Sequence, residues 1–146
     1  MRRPPSIKLF ERLWWASTVL WGIGTWLGWR RTENALYADP RTAPVASWAQ
    51  WLNVGIVLLL TLVVWWLVAR RASRVGKWIV VGLAAVSGVR TLILVLGLLT
   101  SRTFHPLSQG SFFLAAALTI ASAVLLFRDD ARPWFGEYDA DEGEPA

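Results

Sequence analysis

Long stretches with almost no charged residue constrain the fold of this chain more than any other feature of its sequence. Four stretches, of 17, 28, 24 and 25 residues, occupy positions 13–29, 42–69, 78–101 and 103–127, and the only charge inside them is Arg90. A helix that crosses the hydrocarbon core of a bilayer, about 30 Å thick, needs roughly 17–25 mostly apolar residues. Each stretch therefore predicts one membrane-spanning helix.

A soluble four-helix bundle is the main alternative to a membrane protein. Each helix of a soluble bundle carries a polar stripe that repeats every 3.6 residues. Positions 55–68 carry no such stripe, so the outer face of this helix must meet lipid. The composition agrees, because 55% of the residues are hydrophobic and only 17% are charged. We therefore predict an all-α fold: a polytopic membrane protein built as an antiparallel bundle of four transmembrane helices.

The predicted helices and the segment that follows them divide the chain into two parts. One transmembrane domain, 1–127, contains predicted helices at about 9–29, 46–69, 77–100 and 107–127, with an outer loop over 31–44. The remainder, 128–146, contains seven of the ten acidic residues and is predicted to be a partly disordered cytoplasmic tail. Its aromatic group, Pro133-Trp134-Phe135, is expected in the membrane interface, with docking of a cytoplasmic partner as the alternative.

The distribution of basic residues predicts how the helices are oriented. Four spans place both termini on one side, and ten Lys and Arg residues lie on that side, against four on the other. Cytoplasmic segments of membrane proteins carry the excess of Lys and Arg. The expected location is therefore the cytoplasmic (inner) membrane, with both termini in the cytoplasm. Because these residues flank the spans, the net charge of +5 indicates contact with lipid headgroups and no nucleic-acid partner.

The residues that most catalytic and metal-binding sites need are missing from the sequence. The chain has no Cys and one His, which excludes disulfides, thiolate nucleophiles and multi-His metal sites. His105 shares the outer compartment with Glu33 and Asp39, so a His–carboxylate pair is conceivable, but no nucleophile or metal ligand set accompanies it. We therefore expect no enzymatic activity, no cofactor and no metal.

Arg90 is the residue that most needs an explanation. It lies 13 residues after Lys77 and 12 before Arg102, near the middle of the bilayer. An arginine at that depth costs about 2.5–3.5 kcal/mol, and its guanidinium stays charged. The sequence predicts three neutral side chains near it: Thr25 on the first helix, Asn53 on the second, and Ser87 one turn earlier on the same helix.

Three roles for Arg90 remain open, and they lead to different functions. It could bond to these neutral side chains, pair with an acid or phosphate outside the chain, or attract an anion between helices. Small-residue pairs, such as Gly24-x-x-x-Gly28 and Ala117-x-x-x-Ala121, allow close helix packing within one subunit or between two. We expect a non-catalytic accessory, assembly or partner-binding subunit whose partners are the lipid bilayer and another membrane protein or a second copy. The alternative is a small oligomeric anion channel or carrier that uses Arg90.

Overall fold

The computed structural model describes residues 3–100 and 106–137, which form helices and short connections without any strand. The four α-helices are α1 (Pro5–Ala38), α2 (Ala46–Ala69), α3 (Arg74–Thr100) and α4 (Pro106–Leu125). Two short 3-10 turns, Ala43–Val45 and Pro133–Phe135, precede α2 and follow α4. The predicted all-α fold is confirmed. His105 and the segment 138–146, where disorder is predicted, lie outside the described residues.

The helices form a ring in which each one packs against two others. α1 packs most extensively against α4 and also against α2, while α3 packs against both α4 and α2. Consecutive helices run in opposite directions. Ser6, at the start of α1, bonds to Asp130, just after α4. We call this end of the bundle the terminal end, and the opposite end, where residues 39–45 connect α1 to α2, the distal end.

The outer surface of the bundle is apolar. Leu59 on α2 and Ile93 on α3 are each 62% exposed, and Trp26 on α1 is 77% exposed. Three helical stretches are long and apolar enough to cross a membrane: Ala43–Ala69, Arg74–Gly97 and Leu107–Leu125. These stretches indicate a membrane protein. α1 is not among them, and its uncharged middle carries five of the 11 tryptophans.

α1 is longer than predicted, and the loop after it is correspondingly shorter. The helix contains 34 residues, which corresponds to a length of roughly 51 Å. The predicted loop over 31–44 is therefore wrong in its first part, because α1 continues to Ala38. Arginine and glutamate are good helix formers, so charges end the apolar run without ending the helix. The chain leaves α1 at Asp39, whose ψ of 118° is the extended conformation that a following proline favours.

The segment after α4 folds back onto the terminal end of the bundle. Trp134 donates a hydrogen bond from Nε1 to the carbonyl oxygen of Val68 at 3.1 Å, and Phe135 is 4% exposed within the apolar core. The aromatic group thus packs against its own chain, whereas the sequence predicted the membrane interface or a partner. Gly136 then turns the chain with a φ of 69°, a left-handed conformation that glycine adopts without strain.

That turn places Glu137 against a buried lysine at the start of α3. The side chain of Lys77 is 4% exposed, and its Nζ donates to Glu137 Oε1 at 3.0 Å and Oε2 at 2.8 Å. The ammonium also lies 4.3 Å from the ring centroid of Phe127 and 5.4 Å from that of Phe135. Arg74, one turn earlier, donates from Nε to the carbonyl oxygen of Phe135 at 3.0 Å. Residues 128–137 are therefore an ordered cap on the bundle. The predicted division of the chain into two parts at residue 127 stays a prediction.

Candidate functional site

Two cavities lie between the helices, one on each side of Arg90. The terminal cavity, of about 320 Å³, is lined by all four helices and lies towards the terminal end. The distal cavity, of about 380 Å³, lies mainly between α1 and α2 towards the distal end. Both volumes fall within the range of roughly 300–1,000 Å³ that is usual for pockets that bind small molecules.

Arg90 stands where the two cavities meet. Among the described residues, three line both cavities: Trp21 on α1, Arg90 on α3 and Phe112 on α4. The guanidinium carbon of Arg90 lies 5.6 Å from the ring centroid of Phe112, within the range of a cation–π contact. Within the described part of the chain, Arg90 forms no hydrogen bond and no ion pair. Its charge is therefore available to both cavities.

The other three predicted site residues line the same cavities. Ser87 lies in the terminal cavity, and Thr25 and Asn53 lie in the distal cavity. The structure thus brings all four residues to one connected region, but it shows no hydrogen bond from Arg90 to Thr25, Asn53 or Ser87 among the described residues. Whether these side chains act together stays a prediction.

The terminal cavity is lined by several hydroxyl groups whose protons are already donated to backbone carbonyl oxygens. Thr18 on α1 donates from Oγ1 to the carbonyl oxygen of Trp14 at 2.9 Å, and Ser17 donates to the same oxygen at 2.8 Å. Thr119 on α4 donates from Oγ1 to the carbonyl oxygen of Ala115 at 2.9 Å. A hydroxyl has one proton and two lone pairs, so these three groups offer the cavity acceptors only.

Gln50 adds an unusual polar group to the wall of the distal cavity. Its side-chain Nε2 donates to the carbonyl oxygen of Trp29 at 3.3 Å, while its Oε1 is buried and has no hydrogen-bond partner among the described residues. A buried acceptor without a donor costs about 1–3 kcal/mol. The region around Arg90 therefore contains an unpaired cation and an unpaired acceptor.

Phe112 and the acceptor hydroxyls of α1 and α4 were not predicted from the sequence. Thr18 and Thr119 look ordinary in the sequence, and only the packing of α1 against α4 brings them into one cavity. Each threonine donates to the carbonyl oxygen four residues earlier, Thr18 to Trp14 and Thr119 to Ala115. Threonine hydroxyls within a helix commonly form this bond, and that tendency was the one signal available in the sequence.

The chemistry of this region is compatible with binding of an anion. None of the described residues that line either cavity is Asp or Glu, and the described part of the chain contains no group of residues that could hold a metal ion. An anionic group next to Arg90 would meet a cation without a competing carboxylate.

The chain matches no family model, no curated protein and no solved structure.

Proposed function

We propose that this protein binds a small anion inside its helix bundle and acts as a membrane channel or carrier for it, with Arg90 as the attracting charge. The observation that carries the proposal is the position of Arg90, which lines both cavities and has no ionic partner among the described residues. A cation near the middle of a membrane without an ionic partner is costly, and an anionic ligand would offset that cost. A carboxylate can accept two parallel hydrogen bonds from one guanidinium.

The proposal also includes a topology. The protein crosses the inner membrane four times, and both of its termini lie in the cytoplasm. α1 has 17 uncharged residues over 13–29, enough to cross the hydrocarbon core, and it packs extensively against α4. Tryptophan has an amphipathic ring that is favoured near headgroups, so the five tryptophans of α1 are compatible with a span. The excess of basic residues at the terminal end supports a cytoplasmic location for that end.

Flux of anions from vesicles containing the purified protein tests the proposal. We expect release of butyrate or chloride from loaded vesicles, and a loss of at least about tenfold in Arg90→Ala, since a charged hydrogen bond contributes about 1.5–3 kcal/mol. Arg90→Lys should retain part of the flux, because it keeps the charge but loses the planar pair of donors.

Arg31→Ala is the matched control, because it removes the same side chain from an exposed position near the distal end of α1. Its flux should equal that of the original chain. Two results would reject the proposal: no flux of either anion through the unaltered protein, or equal flux through the protein and Arg90→Ala.

A partner-binding subunit remains the second candidate, supported by the outer face of α4. Ala117 and Ala121 are exposed and one turn apart, so a helix of another membrane protein or of a second copy could approach closely there. If this face holds a partner, Ala117→Phe should separate a complex that mild detergent otherwise preserves. A chain that purifies as a stable monomer in that detergent would count against this candidate.

A further inference from the structure

We infer that the anion bound at Arg90 is an organic acid that also carries a hydroxyl group, held by Arg90 at one end and by Thr18 and Thr119 at the other. This inference rests on the proposed function and specifies its ligand.

The first step concerns the size of the terminal cavity. The terminal cavity, about 320 Å³, is large enough for several water molecules, each of which occupies roughly 30 Å³ in the liquid. A monoatomic ion would leave most of this space unfilled, whereas a small organic acid would use it.

The second step concerns the anionic end of the ligand. Arg90 supplies the charge, and Ser87 and Thr91, which also line the terminal cavity from α3, have hydroxyl groups without a hydrogen-bond partner among the described residues. Their protons are free to point at an oxygen of the ligand, since a hydroxyl hydrogen rotates to suit its partner. This side of the cavity therefore offers donors, as a carboxylate requires.

The third step concerns the opposite wall, formed by α1 and α4. Thr18 and Thr119 each donate their only hydroxyl proton to a backbone carbonyl in their own helix. What they present to the cavity is lone pairs, which attract a hydrogen-bond donor and repel an anion's oxygen. The hydroxyl groups of the two walls thus differ in polarity, with donors on α3 and acceptors on α1 and α4, while the Nε1–H of Trp21, which lines both cavities as Arg90 does, is a further donor. A ligand with an acid group near Arg90 and a donor group at its other end fits both walls.

The fourth step decides whether the donor group of the ligand is neutral or charged. An ammonium group in a membrane-embedded cavity needs an opposite charge, because burial of an unpaired ion is costly. No Asp or Glu is found among the described residues that line either cavity, and Arg90 already contributes a positive charge. A hydroxyl group satisfies the acceptors of Thr18 and Thr119 without this cost. The ligand class is therefore a hydroxy acid, not an amino acid.

Equilibrium binding of three matched probes to the full-length protein in lipid nanodiscs tests the inference. The probes are butyrate, 4-hydroxybutyrate and 4-aminobutyrate, which share the carboxylate and differ only at the other end. We expect 4-hydroxybutyrate to bind at least about threefold more tightly than butyrate, as expected for one neutral hydrogen bond, and more tightly than 4-aminobutyrate. Arg90→Ala should weaken binding of all anionic probes by at least about tenfold.

Thr119→Val removes one of the two acceptors and keeps the shape of the side chain, so it should reduce the ratio of the affinity for 4-hydroxybutyrate to the affinity for butyrate. Thr119→Ser retains the oxygen and should preserve the preference. Equal affinity of butyrate and 4-hydroxybutyrate, or tighter binding of 4-aminobutyrate, would overturn the inference. If butyrate binding still depends on Arg90 in that case, the proposed function survives. If none of the probes binds, both fail.

Discussion

Lys77 and Arg90 are two cations on the same helix with opposite surroundings. Lys77 is buried, bonded to both carboxylate oxygens of Glu137 and placed over the ring of Phe127. Arg90 has one ring contact, to Phe112, and no anion among the described residues. The first arrangement satisfies its own charge and is structural. The second leaves its charge available, which is why we assign binding to Arg90 and not to Lys77.

Asp130 is a third charged residue with a defined structural role. Its carboxylate accepts hydrogen bonds from the hydroxyl of Ser6 at 2.6 Å and from the backbone N–H of Ser6 at 3.0 Å, at the N-terminus of α1. Free N–H groups and the helix dipole favour an anion at this position. The hydrogen bond from the Ser6 hydroxyl lowers the pKa of Asp130 most, and the bond from the Ser6 backbone N–H lowers it further. Together they hold this pKa below its ordinary value of 3.8.

The stability that Asp130 contributes should therefore disappear in acid. Because its pKa is lower in the folded state, the contribution is fully present above the ordinary value of 3.8 and is lost as the pH falls through the folded pKa. We expect Asp130→Asn to lower the thermal midpoint by a constant amount between about pH 7 and about pH 5, and by a decreasing amount below about pH 4.

Asp129→Asn serves as the control, because the side chain of Asp129 is 94% exposed and should contribute little at any pH. A midpoint difference between the protein and Asp130→Asn that does not change with pH would contradict the role given to the carboxylate.

At the level of helices, a close contact between α1 and α4 depends on one glycine. A Cβ atom at Gly24 would lie 2.6 Å from Ser111 Oγ and 3.1 Å from the ring of Phe112. At Gly28, one turn later on α1, a Cβ atom would have nothing within 4 Å. The sequence showed these two residues as an equivalent pair, but only the first is at a helix contact.

Substitution of these glycines should therefore have different effects. We expect Gly24→Ala to destabilise the protein by about 1–3 kcal/mol, because the Ser111 hydroxyl has to leave its hydrogen bond to Ser108 and the ring of Phe112 has to shift. Gly28→Ala should be neutral or slightly stabilising, since alanine favours a helix more than glycine does. Thermal unfolding in a mild detergent would measure both. Equal loss of stability in the two variants would show that α1 and α4 do not meet at Gly24.

Helix positions were predictable from the sequence because uncharged runs of sufficient length are visible in it. The ends of α1 were not, because Arg30 and Arg31 mark where the apolar surface stops and carry no signal that ends a helix. The depth of Arg90 was predictable by counting along α3. Its neighbours Trp21 and Phe112 were not, because they depend on how α1, α3 and α4 are rotated and shifted against one another.

On the scale of the whole molecule, residues 128–137 complete the terminal end of the bundle. They contribute the Asp130 contact to α1, the Trp134 bond to α2, and the Glu137 ion pair with α3. Its acidic composition made this segment look like a loose tail in the sequence. Its order comes from long-range contacts with three helices, which local composition does not reveal.

Deletion of 129–146 should therefore loosen the terminal end of the bundle. Without Glu137, Lys77 is left as a buried ion without its partner, a change that typically costs about 3–5 kcal/mol when both ions are fully buried and less here because Glu137 is one-third exposed. We expect faster hydrogen exchange of backbone amides at the end of α2 and the start of α3.

Deletion of 138–146 alone is the control for this experiment, since every contact described for the cap lies before that segment. Exchange should then be unchanged. If the longer deletion leaves exchange at the α2–α3 connection as slow as in the full chain, the cap is not needed to hold that end together.

The extensive packing of α1 against α4 has a consequence for how the protein is made. α1 is synthesised before α4, so it is without its principal neighbour until α4 has been made. Of the four described helices it is also the least apolar, and it is not among the three that are long and apolar enough to cross a membrane by composition. α1 therefore reaches its packed position only after α4 has been made.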